Sequence, residues 1–217
     1  MGTRNITRVK SGGQLKVCQY GQWDGYPTGA GADIIKFIRD SDDEHMTERL
    51  GHVTLNVTHE GDEGLFFVTG APADDTLQAI DHDEWPARKR AQREAVSKGI
   101  GSLRAEYDFA NSRTNELLAE RYGEGELLRF LLASRDTGCK VLPLIYGSKG
   151  DIETWTTDYH MENDVDWSIE AVWELDYDGR VLRGNWHGRK WEWTFDELRE
   201  MDTDQISVAL AQYEESE

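Results

Sequence analysis

Gln19-Tyr20-Gly21-Gln22-Trp23-Asp24-Gly25-Tyr26-Pro27-Thr28-Gly29-Ala30-Gly31 is the stretch whose reading decides the fold. It holds three aromatics, two glutamines, one carboxylate and four glycines in thirteen residues, a mixture that a plain solvated loop does not need. Upstream, Gln14 to Tyr20 alternates Leu15, Val17 and Gln19 against Lys16, Cys18 and Tyr20, the period of a strand. Asp24-Gly25 is a turn signal, and Pro27 restricts Tyr26 to extended backbone. Thr28 is placed to cap a helix whose Ile34, Ile35 and Ile38 share one face. The stretch therefore predicts a strand, a tight turn and a helix start. Backbone N–H groups near Gly29 to Gly31 would be free at the positive end of that helix, and could cup an anion.

Arg4 to Lys10 also has strand character, and Ser11-Gly12-Gly13 follows as a turn, so the chain opens with a β-hairpin. At the other end, Asp166 to Leu175 puts Trp167, Ile169, Ala171, Trp173 and Leu175 on one strand face. Asp176-Tyr177-Asp178-Gly179 turns the chain into Arg180–Trp186, and His187-Gly188 turns it again toward Trp191, Trp193 and Phe195. Five of the eight tryptophans fall in this three-stranded meander, which argues that they pave a core face rather than a stacking platform. Thr194 and Glu197 have capping-box spacing for a helix beginning at Phe195. Between the ends, Thr54–Thr58 and Leu65–Thr69 suggest a second hairpin, and helices are expected within 77–98, 106–122 and 126–133. Residues 135–147 carry both strand and helix signals. The fold class is α+β, with antiparallel hairpins at both ends packed with helices from the middle, in a single domain over 1–217.

With Lys+Arg 24 against Asp+Glu 42, the formal net charge is −18, which argues against general nucleic-acid binding and against an anionic membrane surface. Only 8 of the 24 basic residues are lysine, a composition suited to a halophilic host or a virus of one. Cys18 and Cys139 are too few for a disulfide framework and lack metal spacing. No apolar stretch is long enough to span a membrane, and no leader is evident, so a cytoplasmic protein is expected.

The chemistry converges on the QWDGYP turn. Trp23 and Tyr26 can stack on a planar group, and Asp24 can accept hydroxyl or amine protons or act as a general base. Gln22 can orient a ligand. Arg4, with Asn5 beside it, can pair with an anionic group. The implied ligand is small and anionic or nucleotide-like, and no cofactor is indicated. His82 and His160 lie among acidic residues without the paired spacing of a metal site, so no metal ligands are assigned. Asp136-Thr137-Gly138 occurs once and outside an apolar strand, unlike a paired-aspartate protease. The competing reading is a non-enzymatic structural or interaction protein in which QWDGYP is a rigid turn and a protein is the partner.

The Gly2-Thr3-Arg4-Asn5-Ile6-Thr7 opening, followed by Tyr20-Gly21-Gln22-Trp23-Asp24-Gly25-Tyr26-Pro27, resembles an uncharacterised family found in phages, bacteria and fungi. Its members share a TRN run and a YGQWDGYP run. Arg135-Asp136-Thr137-Gly138 and Trp173-Glu174-Leu175-Asp176 resemble it more weakly. The resemblance covers about the first forty residues. It implies a small soluble protein, often virus-encoded, and no particular activity.

Overall fold

The structure, a computed structural model, describes residues 3–58, 137–162, 164–166 and 168–214. The chain divides into two compact units, Met1–Pro72 with Leu132–Glu217, and Ala73–Leu131. All described residues belong to the first unit. The expected strand at Leu65–Thr69, the helices within 77–98, 106–122 and 126–133, and the residues Arg135, Asp136 and Trp167 lie outside them.

The described part is α+β. The N-terminal hairpin is β1 (Asn5–Ser11) and β2 (Gln14–Gly21), joined by Gly12 and Gly13. Both turn residues have positive φ, 62° and 69°, the geometry of a two-residue turn that matches strand twist. The C-terminal meander is β5 (Ala171–Asp176), β6 (Val181–Trp186) and β7 (Arg189–Thr194), paired antiparallel in succession. The two hairpin systems fuse into one mixed sheet, order β2-β1-β5-β6-β7, because β1 pairs parallel with β5 from Asn5↔Ala171 to Lys10↔Asp176. At the far end of that seam the Asp178 carboxylate accepts from the backbone N–H groups of both Gly12 and Gly13 at 2.8 Å.

Two further strands, β3 (Val53–Thr58) and β4 (Ile152–Thr157), form a separate parallel pair. The described partner of β3 is thus a distant strand, and Thr154 ties that pair to β2 through the Lys16 carbonyl. Strand β5 begins later than the expected Asp166. The Asp166 carboxylate instead accepts from the N–H groups of Ser168 and Ile169, folding that segment into a turn.

Helix α1 (Ala32–Asp40) buries Ile34, Ile35 and Ile38 on one face, as their spacing demands. Helix α2 (Asp43–Gly51) is capped by Asp42, whose carboxylate accepts from His45 N–H at 2.7 Å. The ambiguous segment becomes a 3-10 turn, Gly138–Lys140, running into α3 (Val141–Gly147). Pro143 falls in the first turn of α3, where N–H groups have no intrahelical acceptor, so its missing N–H costs the helix no hydrogen bond. A short α4 (Asp158–Glu162) follows β4. Thr194 and Glu197 do form the capping box of α5 (Phe195–Glu200). A second reciprocal pair, Asp202 with Gln205, opens α6 (Thr203–Glu214).

The sheet's two faces differ. One carries Val9, Val17, Trp173, Leu175 and Leu182 and is packed by helices. Trp173 is fully buried, with Gly31 against its ring and Trp191 at 5.6 Å edge-on. Trp191 stacks on Tyr213 of α6 at 4.1 Å. A Cβ on Gly184 would stand 2.4 Å from the Trp191 ring, so glycine is what lets that ring lie across β6. The tryptophans at 173 and 191 are therefore core. The opposite face is covered over β1 and β2, where Ile6, Cys18, Tyr20, Ile169 and Val172 cluster with Tyr159 and Met161. Over β5 to β7 that face is open and charged.

Candidate functional site

Strand β2 ends at Gly21, and residues 22–26 must turn the chain into the helical segment that begins at Pro27 and leads to α1. Asp24 sits in left-handed backbone, φ 54°. Asn and Gly adopt that region readily and most side chains do not. Tyr26 is extended, as Pro27 requires, and Pro27 opens a π-helical turn, Pro27–Gly31, that runs directly into α1. Thr28 is therefore inside the turn and is not its cap. Its hydroxyl donates to the Glu214 carboxylate at 2.7 Å, tying the turn to α6.

The turn's backbone is held from beneath. The Asn5 side-chain amide donates to the carbonyls of Gly21 and Trp23, each at 3.3 Å. Gly25 N–H donates to the Thr3 carbonyl at 3.1 Å, and the Trp173 indole N–H donates to the Gly25 carbonyl at 3.3 Å. A Cβ on Gly25 would lie 2.7 Å from the Asn5 Cβ, so the turn can only settle this closely on Asn5 as glycine. The donors expected to be free for an anion are used internally. Gly29 N–H donates to the Tyr26 carbonyl at 3.0 Å and Ala30 N–H to the Asp24 carbonyl at 2.7 Å.

The sequence-selected residues divide into those that brace and those that are presented. Asn5 is 1% exposed and lies under the turn, out of reach of solvent. Gln22 accepts from the Tyr20 hydroxyl at 2.9 Å and is half-buried. The Arg4 guanidinium lies 3.6 Å from the Glu170 carboxylate. Trp23 is 52% exposed, Asp24 is exposed, and the Tyr26 hydroxyl reaches the Asp24 carboxylate at 3.4 Å.

Two features escaped the sequence. Under β1 and β2, His160 stacks on Tyr20 at 5.2 Å, and its carbonyl accepts from Arg8 at 2.6 Å. Burial, then the adjacent Arg8 charge, push the His160 pKa down to about 4, while Asp166 opposes them. Burial raises the pKa of the neighbouring Cys18 thiol, which leaves it a poor nucleophile. The second feature is an open groove of about 630 Å³ on the charged half of the sheet, lined by residues including Arg8, Glu162, Asp164, Arg183, Asn185 and Lys190. Arg183, Asn185 and Lys190 alternate with core residues along β6 and β7, so their common face was implicit in the strand period.

Among the described residues, no group of three or more His, Cys, Asp and Glu is disposed to hold a metal ion, and no helix is long and apolar enough to cross a membrane. Compared with known protein families, curated proteins and solved structures, the chain matches none.

Proposed function

We propose that this protein has a binding role, and that Gln22 to Tyr26 is a rigid mount presenting Trp23 to a flat ligand that carries hydroxyl or amine donors. A nucleobase or nucleoside has that chemistry. The observation that supports the reading is the contrast within the turn. Its backbone is held by Asn5, Thr3 and Trp173, while the Trp23 ring is 52% exposed at its tip. Ordered backbone lowers the entropy lost when a ligand stacks on such a ring. Tyr26 adds a second aromatic surface, and Asp24 is the acceptor for the ligand's donors. A phosphate group has less support than a base, because the Gly29 and Ala30 N–H groups are already bonded. Turnover by Asp24 also has less support, given its exposure. The charge of −18 and the lysine-poor composition favour a cytoplasmic setting of high salt, in a halophile or its virus, as the phage-containing family resemblance also suggests.

The test is a heteronuclear NMR titration in molar KCl with adenosine, guanosine, cytidine and uridine. A binding platform predicts saturable movement of the Trp23 indole signal and of the backbone signals of residues 22–26, with the Trp173 and Trp191 indoles unmoved. In Asp24→Asn, which keeps the left-handed backbone, binding should weaken while the melting temperature holds. A Trp23 indole that ignores all four nucleosides would refute the nucleoside assignment. An Asp24→Asn protein that binds as tightly as its parent would remove Asp24 from the site.

A further inference from the structure

The groove on the open half of the sheet is independent of the QWDGYP turn. We propose that it binds a small alkylammonium, an aliphatic diamine or polyamine. Its cations are already engaged. Arg183 contacts Glu192 at 2.7 Å, Glu174 at 3.1 Å and Asp176 at 3.3 Å. Lys190 contacts Asp164 at 2.7 Å, and Arg8 donates to the His160 carbonyl. An anionic ligand would have to break these pairs. One carboxylate is left over. Glu162 lines the groove, is exposed, and has no ion-pair or hydrogen-bond partner among the described residues.

A second observation points the same way. Asn185 lines the groove, is 7% exposed, and is oriented by donating to Asp164 at 2.7 Å. That bond fixes which end of the amide is which, and leaves the side-chain oxygen buried with no donor. Buried acceptors without a donor are uncommon and call for a donor at that place. Glu162 and the Asn185 oxygen together ask for N–H groups and positive charge. The groove's formal charge agrees, with Arg8, Arg183 and Lys190 against Glu162, Asp164, Glu174 and Glu192. A volume near 630 Å³ is within the usual range of small-molecule sites, about 300–1,000 Å³.

The experiment is a titration of the full chain with 1,4-diaminobutane, followed by ¹H–¹⁵N NMR at constant ionic strength, with sodium chloride and 1,4-butanediol as controls. The proposal predicts saturable shifts at the Asn185 side-chain amide and at the backbone of Val172, Glu174 and Arg183, absent with either control. Glu162→Gln, a change at an exposed position, should weaken the diamine about tenfold, as expected for loss of one charge-assisted contact. Asn185→Leu should weaken it as well, and Glu162→Gln alone decides the matter if that variant does not fold. Shifts that sodium chloride reproduces, shifts that spread over the acidic surface without saturating, or an unchanged affinity in Glu162→Gln would overturn it. Binding of trilysine at these residues without binding of the diamine would overturn the small-molecule assignment.

Discussion

Replacing Asn5 with Asp exchanges one NH₂ group for oxygen at the point where the turn rests on the sheet. In the parent, that NH₂ donates to the Gly21 and Trp23 carbonyls at 3.3 Å each, in a residue 1% exposed. An ionised carboxylate there would face two carbonyl oxygens, and it would be dry. Two lost hydrogen bonds cost about 1 kcal/mol each. Desolvation raises a buried carboxyl's pKa by about 2–3 units, and each unit is worth about 1.4 kcal/mol at neutral pH. Asn5→Asp should therefore lose about 4–6 kcal/mol at pH 7. The sign of the pH dependence follows from the raised folded-state pKa. The neutral carboxyl can donate one of the missing bonds, so the variant is closest to its parent below the unfolded pKa of about 4, and falls away as pH rises through the folded value. Asn5→Ala lacks the charge and should cost about 1–3 kcal/mol with no pH dependence of its own. Urea denaturation followed by tryptophan fluorescence from pH 4.5 to 7.5, each variant against parent at the same pH, reads both. A deficit for Asn5→Asp that is flat with pH, or below about 1 kcal/mol at pH 7, would refute the idea that Asn5 braces the turn.

The remaining predictions concern other parts of the fold. Trp173→Ala should cost about 3–5 kcal/mol, the range for a buried aromatic, whereas Trp23→Ala should stay within about 0.5 kcal/mol of parent in the same denaturation assay. His160 has its pKa depressed to about 4, so it favours the folded state fully above its unfolded value near 6.5 and loses that contribution as pH falls toward 4. His160→Phe should flatten the stability profile over that window by about 3 kcal/mol, and a profile of unchanged slope would count against the assignment. Self-repulsion at a net charge of −18 predicts a higher melting temperature in molar KCl than in dilute buffer, since the Debye length shrinks to about 3 Å. A flat or falling midpoint would remove the halophilic reading.

Local signals were legible in the chain. Alternation marked both strand systems, Gly12-Gly13 and His187-Gly188 marked their turns, and Thr194 with Glu197 marked a helix start. The seam between Asn5–Lys10 and Ala171–Asp176 was not legible, because parallel pairing across more than 160 residues leaves no periodic trace. The same limit hid the partnership of β3 with β4. Without the seam, the covering of both faces of β1 could not be seen, nor that Asn5, expected to touch a ligand, lies buried beneath the turn and bonded to it. Thr28 had a cap's chemistry, but Pro27 already started the helix and left its hydroxyl to Glu214. The exposure of Trp23 could not be read from its neighbours, since an aromatic in a glycine-rich turn is equally at home in a core.

Amide hydrogen exchange in the turn tests the central claim most directly. The account predicts that the Gly25, Gly29 and Ala30 amides, bonded to the Thr3, Tyr26 and Asp24 carbonyls, exchange almost as slowly as the strand amides of β1. Exchange of those three amides at the rates of an exposed loop would contradict a rigid mount.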